Sequence, residues 1–138
     1  MIPSYRFIFI VADILSWRAE MKDLLESCVK KGLGSGASFC EVRLFEERSN
    51  NISVENGVAE TLGSGIVRGV GVRVIVADRW GFASTNVLTQ KGFDVALADA
   101  IGGSRSIREH GGEEARVSEV KPVTDTVIHD VKVNPEDV

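Results

Sequence analysis

The sequence predicts an α+β domain of two layers, an antiparallel sheet of four to five strands with helices packed on one face. Three observations carry this. A helical pattern opens the regular part of the chain near Met21, and a second occupies residues 89–101. Between them lie β-branched segments separated by turns of two or three residues. Such turns force antiparallel neighbours, because a parallel return needs a crossover of a dozen or more residues. Helices flanking an antiparallel sheet in sequence pack together on one side of it.

The elements follow in order. Leu24, Leu25, Cys28, Val29 and Leu33 recur at helical spacing among Asp23, Glu26, Lys30 and Lys31, and Gly32, Gly34 and Gly36 are expected to stop the run. Residues 38–47 alternate, with Cys40, Val42 and Leu44 on one face and Glu41, Arg43 and Phe45 on the other, the pattern of a half-buried strand. Ser49, Asn50 and Asn51 read as a turn. Ile52 and Val54 then alternate with Ser53 and Glu55, and Asn56-Gly57 follows. Both residues tolerate positive φ, which suits a type I′ hairpin turn. Residues 58–62 return, and Gly63-Ser64-Gly65 is expected to bulge or bend the strand.

Ile66, Val67, Val70, Val72, Val74, Ile75 and Val76 make a covered, central strand, and Ala77-Asp78-Arg79 reverses the chain. Residues 80–85 form a further strand with its aromatic residues on one side. Phe93, Val95, Ala96, Leu97 and Ala100 then restore helical spacing. From Gly102 onward periodicity is lost, although residues 126–133 would make one more strand.

With 138 residues, 43% of them hydrophobic, the chain has the size of one ordinary domain that folds without disulfides or a structural metal. Cys28 and Cys40 match no metal or redox spacing and read as free thiols behaving as small hydrophobes. Residues 1–108 carry 13 basic and 12 acidic side chains, whereas residues 109–138 carry 3 and 8, a local net charge of −5. No basic cluster exists to grip phosphates, so nucleic acid is not an expected partner. The division is a 1–20 extension of unknown role, a 21–108 α+β domain, and a 109–138 acidic linker or start of a second half. Residues 7–15 are apolar apart from Asp13, too short to span a bilayer, and no small-x-small cleavage site follows. An added strand or helix at the domain edge, or an extension upstream of a natural start at Met21, is expected there, in a cytoplasmic protein that engages no membrane.

Catalytic motifs are sparse. Gly69-Val70-Gly71 lacks the third glycine and following helix of a dinucleotide loop. Ser35 and Ser64 lack a nucleophile elbow. Glu109, His110, Glu113 and Glu114 resemble a metal set, but Gly111-Gly112 breaks the helix that would unite them, and His129-Asp130 is the other isolated candidate. Glu46 and Glu47 point to opposite strand faces and make no acid/base pair. No catalytic, cofactor-binding or metal residue is assigned. Trp80 and Phe82 remain as anchors for a peptide or protein partner, unless they pack beneath a helix.

Four segments in order, FCEVRLFEE from Phe39, ISVENGVAE from Ile52, GVGVRVI from Gly69 and WGFAST from Trp80, resemble the amino-terminal domain of the TldD/PmbA family. The likeness covers about residues 22–101, and PVTDTV from Pro122 resembles the stretch leading toward that family's second half. The resemblance implies a zinc metallopeptidase family, also known as modulators of DNA gyrase, acting as paired related subunits in peptide processing and proteolysis. It further implies a zinc held by a His-Glu-x-x-x-His helix in a later part of a chain about three times as long. This sequence holds no His-Glu dipeptide, so no catalytic residue transfers and zinc is expected only in a catalytic half. The expected role is a non-catalytic domain shaping a substrate groove or subunit interface, with a peptide or a related subunit as partner. The alternative is a free-standing binding or regulatory module, perhaps a homodimer joined through sheet edges. A third reading, a metal enzyme built from His110 and His129, stands or falls on stoichiometric metal.

Overall fold

The computed structural model describes residues 5–10, 15–110, 113–118, 120–121 and 123–127. Its elements run β1 (Tyr5–Ile10), α1 (Leu15–Gly34), β2 (Ala37–Glu55), β3 (Val58–Val76), β4 (Arg79–Thr85) and α2 (Gln90–His110). They form one four-stranded sheet in the order β1-β2-β3-β4. The β2–β3 and β3–β4 pairs are antiparallel. β1 lies parallel to β2 at the edge, a geometry that α1 permits by acting as the crossover.

Both helices cover one face. Alternation along β2 and β3 sends Cys40, Val42, Leu44, Val70, Val72 and Val74 into a core with Leu25, Cys28 and Val29 of α1 and Phe93, Ala96, Leu97 and Ala100 of α2. α1 is longer than its apolar pattern suggests, starting at Leu15 rather than near Met21. Gly32 does not stop it. That residue is buried within the helix, where an added Cβ would lie 2.6 Å from Cys40 Sγ, so it lets α1 approach β2. The helix ends at Gly34; Ser35 N–H still donates to Lys31 O, and Gly36, with a φ of +92°, gives the left-handed exit.

The predicted turn at Ser49–Asn51 is absent, and β2 and β3 are instead single strands of 19 residues each. Ser49, Asn50 and Asn51 pair with Gly65, Ser64 and Gly63 in regular register. Turn-forming residues on both strands lie opposite one another, so ladder bonds satisfy what a turn would otherwise supply. Two irregularities fall elsewhere: one between Ala37 and Phe39, and one where Ser53 pairs with Thr61 and Val54 with Ala59, leaving Glu60 as the extra residue. Asn56 and Gly57 close the hairpin with φ of 50° and 78°, the type I′ geometry. The β3–β4 turn repeats it at Ala77 and Asp78, with φ of 49° and 61°.

α2 starts on Thr89, whose Oγ1 accepts from Gly92 N–H at 3.2 Å. It continues through Gly102 and Gly103 to His110 rather than losing order after Ile101. Ser104, fully buried, explains the extension: its Oγ shares a proton between Val76 O at 2.9 Å and Arg79 O at 2.8 Å. Beneath it, an alanine Cβ at Gly81 would lie 1.9 Å from Ala100 O, so only glycine lets α2 settle on β4. Lys31 Nζ meets Asp94 Oδ1 at 2.7 Å and joins the two helices. Residues 113–118, 120–121 and 123–127 contain no helix or strand; the rest of the strand expected over 126–133 lies outside the described residues.

Candidate binding face

Beyond the covered half of the sheet, β2 and β3 project as a two-stranded arm. Residues 47–55 and 58–67 are exposed on both faces, a reach of roughly 30 Å at about 3.3 Å per residue. Ile52, Val54, Leu62 and Ile66 share the face that, nearer the helices, becomes the core.

The opposite face of the sheet carries no helix. Phe39, Glu41, Arg43 and Phe45 of β2 lie there, with Ile75 and Arg73 of β3 and Trp80 and Phe82 of β4. Its centre is a buried carboxylate. Glu41, 1% exposed, takes Arg43 Nε and Nη2 at 2.8 Å on Oε1, and Arg73 Nη2 stands 2.9 Å from Oε2. An uncompensated buried carboxylate is expensive, so the two guanidinium groups are obligatory neighbours. Arg73 also lies over the Trp80 ring, 4.8 Å from its centroid, and Phe39 meets Trp80 edge-on at 5.6 Å. Glu41, Arg43, Gly71, Arg73 and Phe82 line a shallow cleft of about 110 Å³. Phe82 rests on Gly71, where a Cβ would come within 3.3 Å of its ring.

The structure thus places Trp80 and Phe82 away from both helices, 38% and 65% exposed. Sequence reasoning did not single out Glu41, Arg43 or Arg73. Glu41 and Arg43 alternate onto the polar side of their strand, and that was the available signal. One end of this face is covered by the chain after α2: Ala115 N–H donates to Asp78 O at 2.8 Å, and its side chain is buried with Phe39 and Ile75.

A second carboxylate marks the root of the arm on the helix side. Glu46, buried, receives Arg48 Nε at 3.1 Å and Arg68 Nε. Burial alone would push its pKa up, but the hydrogen bonds and charges of Arg68 and Arg48 outweigh it and hold the group below the ordinary glutamate value. The thiols are inert by the same logic. Burial, reinforced by Asp94, pushes Cys28 up to about 11, and burial, with Cys28 and Glu41 nearby, pushes Cys40 up to about 12.

No three His, Cys, Asp or Glu side chains converge on a metal position among the described residues, so no step through zinc is derived from this chain. His129 lies outside the described residues, and His110 ends α2. No helix among the described residues is long and apolar enough to cross a membrane.

A four-stranded sheet with both helices behind it and an open, aromatic and ion-paired face in front is a two-layer domain of α+β class. Comparison with known proteins places it. Residues 40–104 match the family model described as PmbA/TldA metallopeptidase domain 1. A metalloprotease of Methanocaldococcus jannaschii is 27% identical over 100 residues, 72% of this chain and 22% of its own length. A metalloprotease of Synechocystis is 36% identical over 95 residues, 69% of this chain and 19% of its own. The chain thus spans about a fifth of the length of these relatives. A crystal structure of a candidate modulator of DNA gyrase from Bacteroides thetaiotaomicron shares the fold, with a TM-score of 0.66 at 23% identity over 86% of this chain and 28% of that one. This chain carries an amino-terminal domain of the TldD/PmbA kind.

Proposed function

We propose that this domain is a non-catalytic part of a TldD/PmbA-like zinc metallopeptidase acting in peptide proteolysis in the cytoplasm, where its helix-free sheet face forms part of a substrate groove or subunit interface. The observation that supports this is the exposure of Trp80 and Phe82 beside the Glu41 ion cluster, on a face no helix covers. Exposed aromatic groups beside arginine are the composition of recognition surfaces. Catalysis would come from the His-Glu-x-x-x-His helix that the resemblance implies in a later part of the family's chains.

The experiment mixes the 138-residue chain with a polypeptide carrying that catalytic half, or with a full-length relative, and follows complex formation and zinc-dependent peptide cleavage. Association or stimulated cleavage, lost when Trp80 and Phe82 are both changed to alanine, supports the reading. The absence of both association and stimulation overturns it.

The arm favours a second reading, a free-standing module that pairs with itself. Ile52, Val54, Leu62 and Ile66 present the same apolar stripe in every copy, as an isologous contact requires. Light scattering separates the two: a dimer abolished by Leu62→Asp supports self-pairing, and a monomer at all concentrations rules it out.

A further inference from the structure

On a sheet face open to solvent, the least costly residue at position 41 would be apolar or a fully hydrated polar group; a carboxylate buried there and tied to two arginines does something else. It fixes guanidinium groups. Arg43 donates Nε to Glu41 Oε1 and brings Nη2 within 2.8 Å of the same oxygen, and Arg73 Nη2 stands 2.9 Å from Oε2 as an ion pair that leaves this oxygen without a hydrogen bond, while the two side chains remain 49% and 44% exposed. Each guanidinium carries five N–H donors, so both keep donors directed away from Glu41. Trp80 holds Arg73 from beneath, and β2 and β3 hold the two arginines on one face, so little side-chain entropy remains to be lost on binding.

We infer that Arg43 and Arg73 form a receptor for a single carboxylate, supplied by an acidic side chain within an extended polypeptide segment that crosses the face over Phe82. This rests on the reading of the face as a substrate or partner surface and names its chemistry. Three features select that occupant. Two guanidinium charges against one Glu41 leave a net +1, which matches a monoanion and is a poor counterpart for a phosphate dianion. The cleft of about 110 Å³ opens to solvent between Glu41, Arg43, Arg73 and Phe82 and has room for a carboxylate and its methylene beside the guanidinium groups. Phe82, 65% exposed and resting on Gly71, offers an apolar platform at the cleft wall for the neighbouring side chain.

The test is a binding titration of the full 138-residue chain with three heptapeptides. The first is blocked at both ends with one central Glu, the second has Gln in its place, and the third has Gln and a free terminal carboxylate. The Glu peptide is expected to bind about fivefold more tightly than the Gln peptide at low salt, with the advantage shrinking as ionic strength rises. Because changing one arginine leaves Glu41 poorly paired, the decisive variant is the triple Glu41→Gln/Arg43→Gln/Arg73→Gln, which removes the buried charge as well. It should keep its cooperative melt and bind Glu and Gln peptides alike. Equal binding by the native chain, or a Glu preference that survives in the folded triple variant, overturns the carboxylate receptor while leaving the face as a peptide surface. Preference for the free terminus over the internal Glu overturns the assignment to a side chain. Binding of none of the peptides overturns it too, and association with the catalytic half, measured separately, then decides the broader reading.

Discussion

The two halves of one hairpin make the central contrast of this molecule. Near the helices, β2 and β3 carry Cys40, Val42, Leu44, Val70, Val72 and Val74, all buried. Farther out, the same two strands carry Ile52, Val54, Leu62 and Ile66, equally apolar and all exposed. The β2–β3 ladder runs through both, interrupted only by the register shifts at Ala37/Phe39 and at Ser53/Val54. Backbone pairing therefore does not distinguish them, and the covering helices do: stability resides where α1 and α2 remove side chains from water. Glu46, with Arg48 and Arg68, stands at the boundary and closes the end of the core with a satisfied ionic group instead of a ragged apolar margin.

The contrast can be broken from its buried side first. Phe93, fully buried in α2, should cost about 3–5 kcal/mol when changed to alanine, read as a lower midpoint in denaturant. A loss below about 1 kcal/mol would mean that the helices do not carry the fold. Gly81→Ala should follow with about 3 kcal/mol, because the new methyl overlaps Ala100 O and α2 must lift from β4; Gly63→Ala in the arm, where nothing lies within 4 Å, escapes that clash.

At the boundary, Glu46→Gln should cost about 2 kcal/mol at neutral pH, the scale of hydrogen bonds to a charged group. Its pKa is lower folded than unfolded, so its contribution is present above the ordinary glutamate value of 4.5 and disappears as pH falls through the folded value. The native chain and the variant should therefore converge in stability in acid. A difference constant between neutral pH and pH 3 would show that the ion cluster is not its source. Smallest of all, changing Leu62, 74% exposed on the arm, to alanine should alter stability by no more than about 0.5 kcal/mol. A larger loss at rising protein concentration would reveal a partner on the stripe.

Several elements were legible in the residues. Alternation of Cys40, Val42 and Leu44 against Glu41 and Arg43 marked the two strand faces, and Asn56-Gly57 marked the hairpin turn. The spacing of Phe93, Ala96, Leu97 and Ala100 marked the face of α2. The length of α2 was not legible, because Gly102-Gly103 breaks a helix by propensity and only the contacts of Ser104 with Val76 and Arg79 carry the helix past it. Nor was the continuity of β2 through Ser49–Asn51, since local composition favours a turn and the opposite strand, distant in sequence, overrides it.

The sequence alone determined which side chains of each strand share a face, since the pleat has a period of two, and that the chain reverses at Asn56-Gly57, since both residues accept positive φ. Which strand faces meet was decided by tertiary structure. Counting pairs inward from Asn56-Gly57 places Val72 opposite Glu41; the extra residue at Glu60 shifts the register by one and brings Arg73 there instead. A one-residue bulge flips a whole face of the partner strand, and no local pattern announces it. The ion cluster and the face around it exist because packing against α1 and α2 chose the register that buries Val70, Val72 and Val74.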